Sequence, residues 1–174
     1  MRGLLGNGQL YRNGAGHKTI SAIFFFKGVY FEMAIRYYIN PELNIILFVG
    51  KETVTGSEYF QAAEAASQDK LRKWGMVTII DVLFVETDFD LQDIKRAIAF
   101  NDKLPEKGFE PEQVIALTAS KGMHFVGEAM KALSNKIPIK FEVVSTLDEL
   151  ISLLKLSERK QEFISFYSKC KFES

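Results

Sequence analysis

The stretch MVTIIDVLFVETDFDLQDI, residues 76–94, decides the fold class of this chain. Its first ten residues are β-branched and almost wholly apolar, which is typical of a strand buried on both faces of a sheet. Three acids, Glu86, Asp88 and Asp90, follow this run, and a helical pattern begins behind them at Leu91. A buried strand that leads directly into a helix is the unit from which mostly parallel α/β sheets are built.

A β-hairpin is predicted upstream, over residues 35–50, with the sequence IRYYINPELNIILFVG. Its turn signal is Asn40-Pro41-Glu42, because proline fixes φ at a turn corner. The return run, residues 45–49, is apolar without interruption and therefore predicts a strand inside the sheet.

Helix signals follow the hairpin. Thr55 and Glu58 have the spacing of a capping box, in which each side chain binds a backbone amide of the first turn. The helix is predicted to run to about Lys73, with Gly75 as its left-handed cap.

Two further strand and helix pairs are predicted downstream. The strands cover residues 112–119 and 138–145, and Thr146 and Glu149 form a second capping box after the last strand. Alternation with short connections indicates parallel strands joined by right-handed crossovers. The predicted fold is therefore α/β: an N-terminal β-hairpin followed by βα units, with a mixed, mostly parallel sheet covered by about four helices.

Three segments of different character divide the chain. Residues 1–32 hold half of the 12 glycines and lack a regular apolar period, which predicts a disordered leader or a translated upstream region preceding a true start at Met33. Residues 33–157 form the predicted α/β domain. Residues 158–174 are predicted to be a C-terminal amphipathic tail that needs a surface to cover, in its own domain or in another subunit.

Composition excludes several classes of protein. The chain has 174 residues with 22 basic and 22 acidic side chains, so its zero net charge gives no electrostatic footprint for nucleic acid. No apolar run has the length of a membrane span. The single cysteine, Cys170, excludes a disulfide within the chain and indicates a reducing, cytoplasmic compartment.

The acids behind the apolar run have three interpretations. A metal or phosphoaspartate site built on Asp88 and Asp90 needs further acids at neighbouring strand ends, and no second acidic cluster is present. A receiver-type phospho-relay needs an acidic pair after the first parallel strand, where Gly50-Lys51-Glu52 stands instead. The third interpretation is a helix cap, with Asp90 accepting amide hydrogens and a further acid in the first helical turn favouring its positive end.

A second strand end offers polar residues. Ser120, Lys121 and Gly122 precede a helix whose amides could bind an anion, although capping by Ser120 is the simpler interpretation. His17 and His124 are isolated, so no zinc site is predicted.

In element order and patterning, three stretches resemble the STAS-like proteins, relatives of bacterial anti-sigma-factor antagonists with a distant likeness to Sec14-type lipid carriers. They are YYINPELNIILFVGKETVTGSEYF, VTIIDVLFVETDFDLQDIKRAI and IKFEVVSTLDELISLL, and the resemblance covers residues 34–156. Such antagonists carry a phosphorylatable serine in an Asp-Ser-Ser/Thr-Gly step. The corresponding residues here are Thr87-Asp88-Phe89-Asp90-Leu91, without the serine or the glycine.

The resemblance implies a non-enzymatic protein-interaction or regulatory module of a bacterial cytoplasm, with no cofactor and with a protein partner or self-association. Thr87, Asp88, Phe89 and Asp90 are the predicted partner-binding residues, with Phe89 at the centre of the patch. The alternative is a small-molecule or lipid-binding domain with an apolar cavity between sheet and helices. That cavity would be lined by Met76, Met123, Phe125, Met130 and Phe141.

Overall fold

The computed structural model describes residues 25–26, 29–30, 34–88, 92–93, 95–96, 112–134 and 139–173. The strands are β1 (Phe25–Phe26), β2 (Val29–Tyr30), β3 (Ile35–Asn40), β4 (Ile45–Gly50), β5 (Thr53–Thr55), β6 (Val77–Asp81), β7 (Glu86–Asp88), β8 (Glu112–Leu117) and β9 (Ile139–Val144). The α-helices whose bounds lie within the described residues are α1 (Gly56–Ser67), α2 (Lys121–Ser134), α3 (Leu147–Leu153) and α4 (Lys160–Glu173).

Among the described residues, the central sheet has five strands in the order β3-β4-β6-β8-β9. β3 is antiparallel to β4, and the other neighbours pair in parallel. The predicted fold class is confirmed by this sheet, which is mixed, mostly parallel and entered through the predicted hairpin. The predicted leader lies outside the described residues, apart from β1 and β2, which pair antiparallel with each other.

Apolar side chains cover both faces of the sheet. α1 packs with residues of β3 and β4 on one face, and α2 packs on the same face against β6, β8 and β9. α3 and α4 pack on the opposite face. Since helices lie on both sides, the inner strands are largely buried: every residue of β4 and four of the five residues of β6 are buried.

α2 lies close to the last strand of the sheet. A Cβ atom added to Gly127 would overlap Cγ2 of Val143 on β9, so the helix backbone approaches the strand more closely than a larger residue would allow. Met123, one turn earlier, belongs to a cluster that includes Ile80 and Val114. α2 therefore sits above the β8–β9 side of the sheet.

Both predicted capping boxes are confirmed. The Thr55 hydroxyl accepts from the Glu58 amide at 3.3 Å, and the Glu58 carboxylate accepts from the Thr55 amide at 3.0 Å. Thr146 and Glu149 repeat the arrangement at the start of α3, with distances of 3.2 Å in both directions. Each box depends only on residues three positions apart, which explains why sequence spacing predicts it.

The first helix ends earlier than predicted, at Ser67 rather than near Lys73. The Asp69 side chain accepts from the Leu71 amide at 2.8 Å and thereby stabilises a local turn that competes with the helix. Gly75 has the predicted left-handed conformation, with φ of 79°, but it belongs to the turn before β6 and does not cap α1.

The sequence predicts one strand over residues 76–85, and this prediction is wrong. The run forms a strand followed by a turn. β6 ends at Asp81, whose Oδ1 accepts from the Leu83 amide at 3.1 Å. The chain then turns and continues as β7, which pairs in parallel with β5 in a separate two-stranded sheet. An acid inside the apolar run thus ends the strand, because its side chain satisfies a backbone amide in the turn.

The C-terminal helix is part of the core of its own sheet. Phe163 and Cys170 on α4 are 0% and 2% exposed, in one apolar cluster with Leu47, Ile79 and Leu117. The predicted amphipathic tail could cover a surface of its own domain or of another subunit. In the structure, α4 covers a face of the sheet in its own chain.

The β3 edge gives a test by alkaline titration. The Tyr37 hydroxyl donates to Asp69 Oδ2 at 3.3 Å, and burial together with this carboxylate raises the pKa of Tyr37 from 10.0 to about 12. In the unfolded chain the phenol ionises near its ordinary value, so unfolding releases a proton between the two pKa values. We expect the free energy of unfolding to fall as pH rises through that interval and to fall less steeply in Tyr37→Phe, measured by urea denaturation at stepped pH. Equal slopes in both proteins would contradict this assignment.

Candidate functional site

A buried acid occupies the carboxyl end of the central strand. Asp81 is the last residue of β6 and is 0% exposed. It pairs in register with Val49 of β4 and Leu117 of β8, and its side chain is directed to the face covered by α4. In open α/β sheets this end of the strands is where ligands gather, so Asp81 has the position of a functional residue.

Three donors surround the Asp81 carboxylate. Oδ1 accepts from the Leu83 amide, while Oδ2 accepts from the Tyr167 hydroxyl at 2.7 Å and forms an ion pair with Lys171 Nζ at 3.0 Å. Tyr167 and Lys171 are one helical turn apart on α4, so both reach the same oxygen. The carboxylate therefore joins the end of β6 to the C-terminal helix.

This arrangement compensates for the cost of burying a charge. A carboxylate without partners is expensive in the interior, whereas charge-assisted hydrogen bonds and an ion pair offset much of that cost. Burial and the nearby Asp81 carboxylate raise the pKa of Tyr167 well above its ordinary value. The phenol accordingly keeps its proton and donates it in the hydrogen bond, which suits a structural contact better than proton transfer at neutral pH.

An exposed aromatic side chain lies on the turn after Asp81. Phe84 is 83% exposed. The turn that carries it is stabilised by the hydrogen bond from the Leu83 amide to Asp81. Lys171 Nζ lies 6.0 Å from the centroid of the Phe84 ring, within the range of a cation–π contact. Lys171 thus contacts the buried acid and the exposed ring together.

The predicted partner-binding residues fall on the next element. Thr87 and Asp88 belong to β7, where they pair with Val54 and Thr55 of β5. Phe89 and Asp90, with the predicted helix cap, lie outside the described residues. The prediction that Glu86 and Asp88 mark the end of the central strand is wrong. The central strand ends at Asp81, and β7 belongs to another sheet.

Asp93 belongs to a different contact. It is 8% exposed, and its Oδ1 lies 3.2 Å from Arg96 Nη1. A Cβ atom on Gly56, the first residue of α1, would overlap the Asp93 carboxylate. The acid therefore lies against the positive N-terminus of α1, where a negative charge is favourable.

The predicted anion-binding residues begin α2. Ser120, Lys121 and Gly122 are all exposed. The Ser120 hydroxyl is 3.5 Å from the Met123 amide nitrogen, and the Ser120 backbone carbonyl accepts from the His124 amide at 3.0 Å. Ser120 therefore acts as the cap of α2. His124 Nε2 lies 3.1 Å from the Ser145 hydroxyl, which links α2 to the end of β9.

The residues proposed to line an apolar cavity do not converge. Met76 packs with α1, whereas Met123 and Phe141 pack in a separate cluster under α2. Phe125 is 71% exposed on the outside of α2, which contradicts a role in lining a cavity beneath it. The Met130 side chain lies outside the described part of the chain.

Within the residues that the structure describes, no group of three or more His, Cys, Asp or Glu could hold a metal ion. None of the described helices is long and apolar enough to cross a membrane.

Sequence patterns alone do not identify Asp81, Tyr167 and Lys171 as a group. A single acid within an apolar run was the available signal, because such a residue must find donors when the strand is buried. Tyr167 lies 86 residues further along the chain, so no local spacing identifies it as the partner.

No protein-family profile matches the sequence, and no curated protein matches it. Among solved structures, the chain is similar to a protein of Shewanella loihica described as an uncharacterised member of the DUF3478 family with a SpoIIAA-like fold. The two are 12% identical, the alignment covers 83% of this chain and 99% of the other, and the TM-score is 0.43.

Proposed function

We propose that this chain is a non-enzymatic, STAS-like protein-interaction module of a bacterial cytoplasm. Its contact surface is the turn after β6 with β7, here called the Phe84 surface and defined by Phe84, Thr87 and Asp88. The predicted contact residues Phe89 and Asp90, which follow β7 in the sequence, remain part of the proposal. The partner is another protein, and the chain works by binding it.

The exposure of Phe84 carries this proposal. Leaving a phenylalanine 83% exposed forgoes the free energy of burying its ring, and the ring stands on a turn that Asp81 holds in place. Aromatic side chains presented on ordered surfaces are frequent anchors of protein interfaces. The following Thr87 and Asp88 add polar groups of the kind found at the rim of such a contact.

The chemistry of Asp81 supports a binding role over catalysis. Its Oδ1 accepts a hydrogen bond from the Leu83 amide, and its Oδ2 accepts one from Tyr167 and forms an ion pair with Lys171. The side chain is fully buried. A catalytic acid or base needs access to its substrate. The acid at the carboxyl end of the central strand therefore serves the fold, and the turn beside it serves the contact.

The test compares two exposed phenylalanines. The Phe84→Ser and Phe125→Ser variants each remove a ring that is more than two-thirds exposed, from the turn after β6 and from α2 respectively. Partners captured from the native cytoplasm are quantified by mass spectrometry and their affinities then measured with purified protein. We expect Phe84→Ser to weaken the main partner at least about tenfold and Phe125→Ser to leave it unchanged. Equal binding by both variants and the original protein, with unchanged melting temperatures, would contradict the Phe84 surface.

A further inference from the structure

The loop between α1 and β6, residues 68–76 and here called the Trp74 loop, presents a tryptophan to solvent. Trp74 is 50% exposed, and it is the single tryptophan of the chain. Its neighbours in the loop are anchored in the core. Met76 is 1% exposed, and Leu71 packs against the apolar cluster to which Met76 belongs. The indole is therefore presented at a defined place by a loop that is packed on the protein.

Hydrogen bonds fix the Trp74 loop to the turn between β3 and β4. Asn44 Nδ2 donates to the Gly75 carbonyl at 2.8 Å, and the Asn44 carbonyl accepts from the Val77 amide at 2.9 Å. These contacts lie at the amino end of β6, whereas Phe84 follows its carboxyl end. The Trp74 loop and the Phe84 surface thus lie at opposite ends of a strand about 16 Å long.

The Trp74 loop also carries an excess of positive charge. Residues 69–75 contain three basic side chains, Lys70, Arg72 and Lys73, and one acid, Asp69. The Asp69 carboxylate accepts hydrogen bonds from a half-buried phenol and from an amide of the loop, so it is directed toward the protein. Lys70 and Lys73 are both exposed. These two lysines therefore give the loop a positive surface beside the indole.

The third cation contacts the indole itself. Arg72 Cζ lies 6.0 Å from the centroid of the Trp74 ring, within the range of a cation–π contact. An indole combines an apolar ring system with a polar N–H group, which favours tryptophan at the interface between a membrane and water. Basic side chains near such a ring add attraction to anionic lipid headgroups. The loop therefore joins the two chemistries that bind an anionic bilayer surface.

We propose that the Trp74 loop docks this chain reversibly on the surface of an anionic lipid bilayer. Trp74 enters the headgroup region, and Lys70 and Lys73 contact the negatively charged groups of the lipids. In this orientation the amino end of β6 is directed toward the bilayer and Phe84 is directed away from it. A chain bound in this way keeps the Phe84 surface accessible to a protein partner.

A single-stranded nucleic acid is the other polyanion that binds basic and aromatic side chains together. Proteins that bind it use a series of aromatic rings, on which successive bases stack along a basic groove. The Trp74 loop has one aromatic residue among its nine. One ring flanked by lysines fits the headgroup region of a bilayer better than a stacked strand of bases.

The single tryptophan reports directly on docking. The full chain is titrated with vesicles of equimolar phosphatidylcholine and phosphatidylserine, and with vesicles of phosphatidylcholine alone. On the anionic vesicles we expect Trp74 emission to shift to shorter wavelength and to become protected from quenching by acrylamide. Neutral vesicles or high salt should abolish the shift. Equal binding to both kinds of vesicle, no binding to either, or a bound chain with unchanged emission would overturn the proposal.

Cosedimentation with the anionic vesicles compares variants, including those without the tryptophan. We expect Trp74→Ser to raise the apparent lipid dissociation constant at least about tenfold, and Lys70→Gln/Lys73→Gln to do the same. Lys121→Gln and Phe125→Ser are the matched controls, because they remove an exposed cation and an exposed ring from α2. Both should bind like the original protein. Unchanged binding by the Trp74 and lysine variants, with melting temperatures showing that they are folded, would contradict docking through this loop.

Two further measurements separate this site from the alternatives. Phe84→Ser should bind the vesicles like the original protein, because its ring lies at the other end of β6; docking on lipid is thus tested independently of the Phe84 surface. A fluorescent single-stranded oligonucleotide is the second probe. Tighter binding of the oligonucleotide than of anionic vesicles, lost in Trp74→Ser, would assign the loop to nucleic acid and overturn the proposal.

Discussion

Asp81→Ala is expected to lower the free energy of unfolding by about 3 kcal/mol, one of the two largest effects in this chain. The substitution removes an acceptor for the Leu83 amide and for the Tyr167 hydroxyl, and it removes the counter-charge of Lys171. Breaking a buried ion pair on one side typically costs about 3–5 kcal/mol. The lower end applies because the Lys171 side chain is 27% exposed and can regain hydration. Urea denaturation measures the change.

Asp88→Ala is the matched control. It removes the same functional group seven residues further on, from an exposed position on β7, and is expected to change the free energy of unfolding by less than about 0.5 kcal/mol. If the two variants were equally stable, Asp81 would not be the anchor of α4. Asp81→Asn keeps the shape and one oxygen acceptor, so its cost should fall between those of the two alanine variants.

Phe163→Ala is expected to cost about 3–5 kcal/mol, the range for truncating a large, fully buried aromatic side chain. Phe163 is 0% exposed and packs with the sheet face that includes Leu47 and Leu117. The loss combines the transfer free energy of the ring with the cavity left between α4 and the sheet.

Phe172→Ala provides the control on the same helix, because Phe172 is 94% exposed. Its effect should stay within about 0.5 kcal/mol. A small effect of Phe163→Ala in the same denaturation experiment would mean that α4 does not belong to the cooperative core. The pair of variants thus separates a packed helix from a loosely attached tail.

The parts of the fold that sequence predicts are those set by local rules. Strands β4 and β8 appear as apolar runs because they lie inside a sheet covered on both faces. The two capping boxes are predicted because residues three positions apart hold them together. The hairpin is predicted because proline and the neighbouring polar residues favour a turn at one place.

The parts of the fold that the sequence does not predict depend on tertiary contacts or on side-chain hydrogen bonds. The run over 76–85 reads as one strand because its hydrophobicity does not show that Asp81 turns the chain. The early end of α1 depends on Asp69, which also accepts from the distant Tyr37 hydroxyl. The contacts of α4 join residues 86 positions apart along the chain, and no spacing rule covers that distance.

Part of the candidate site is predicted from the sequence, and part of it is seen only in the structure. The family resemblance predicts Thr87 and Asp88 as binding residues, and they remain proposed binding residues beside Phe84. The apolar run predicts that Phe84 belongs to a buried strand, whereas its exposure follows only from the turn that Asp81 creates. The acid that shapes this end of the sheet is therefore also the residue that brings the proposed contact surface to solvent.

A double-mutant cycle between Asp81→Ala and Tyr167→Phe tests the central claim most directly, namely that the buried acid at the end of β6 is an anchor for α4. Both side chains meet at one hydrogen bond of 2.7 Å, so the two changes should remove the same interaction. We predict that their effects on the free energy of unfolding depart from additivity by more than about 1 kcal/mol. Effects that add within about 0.3 kcal/mol would contradict the claim.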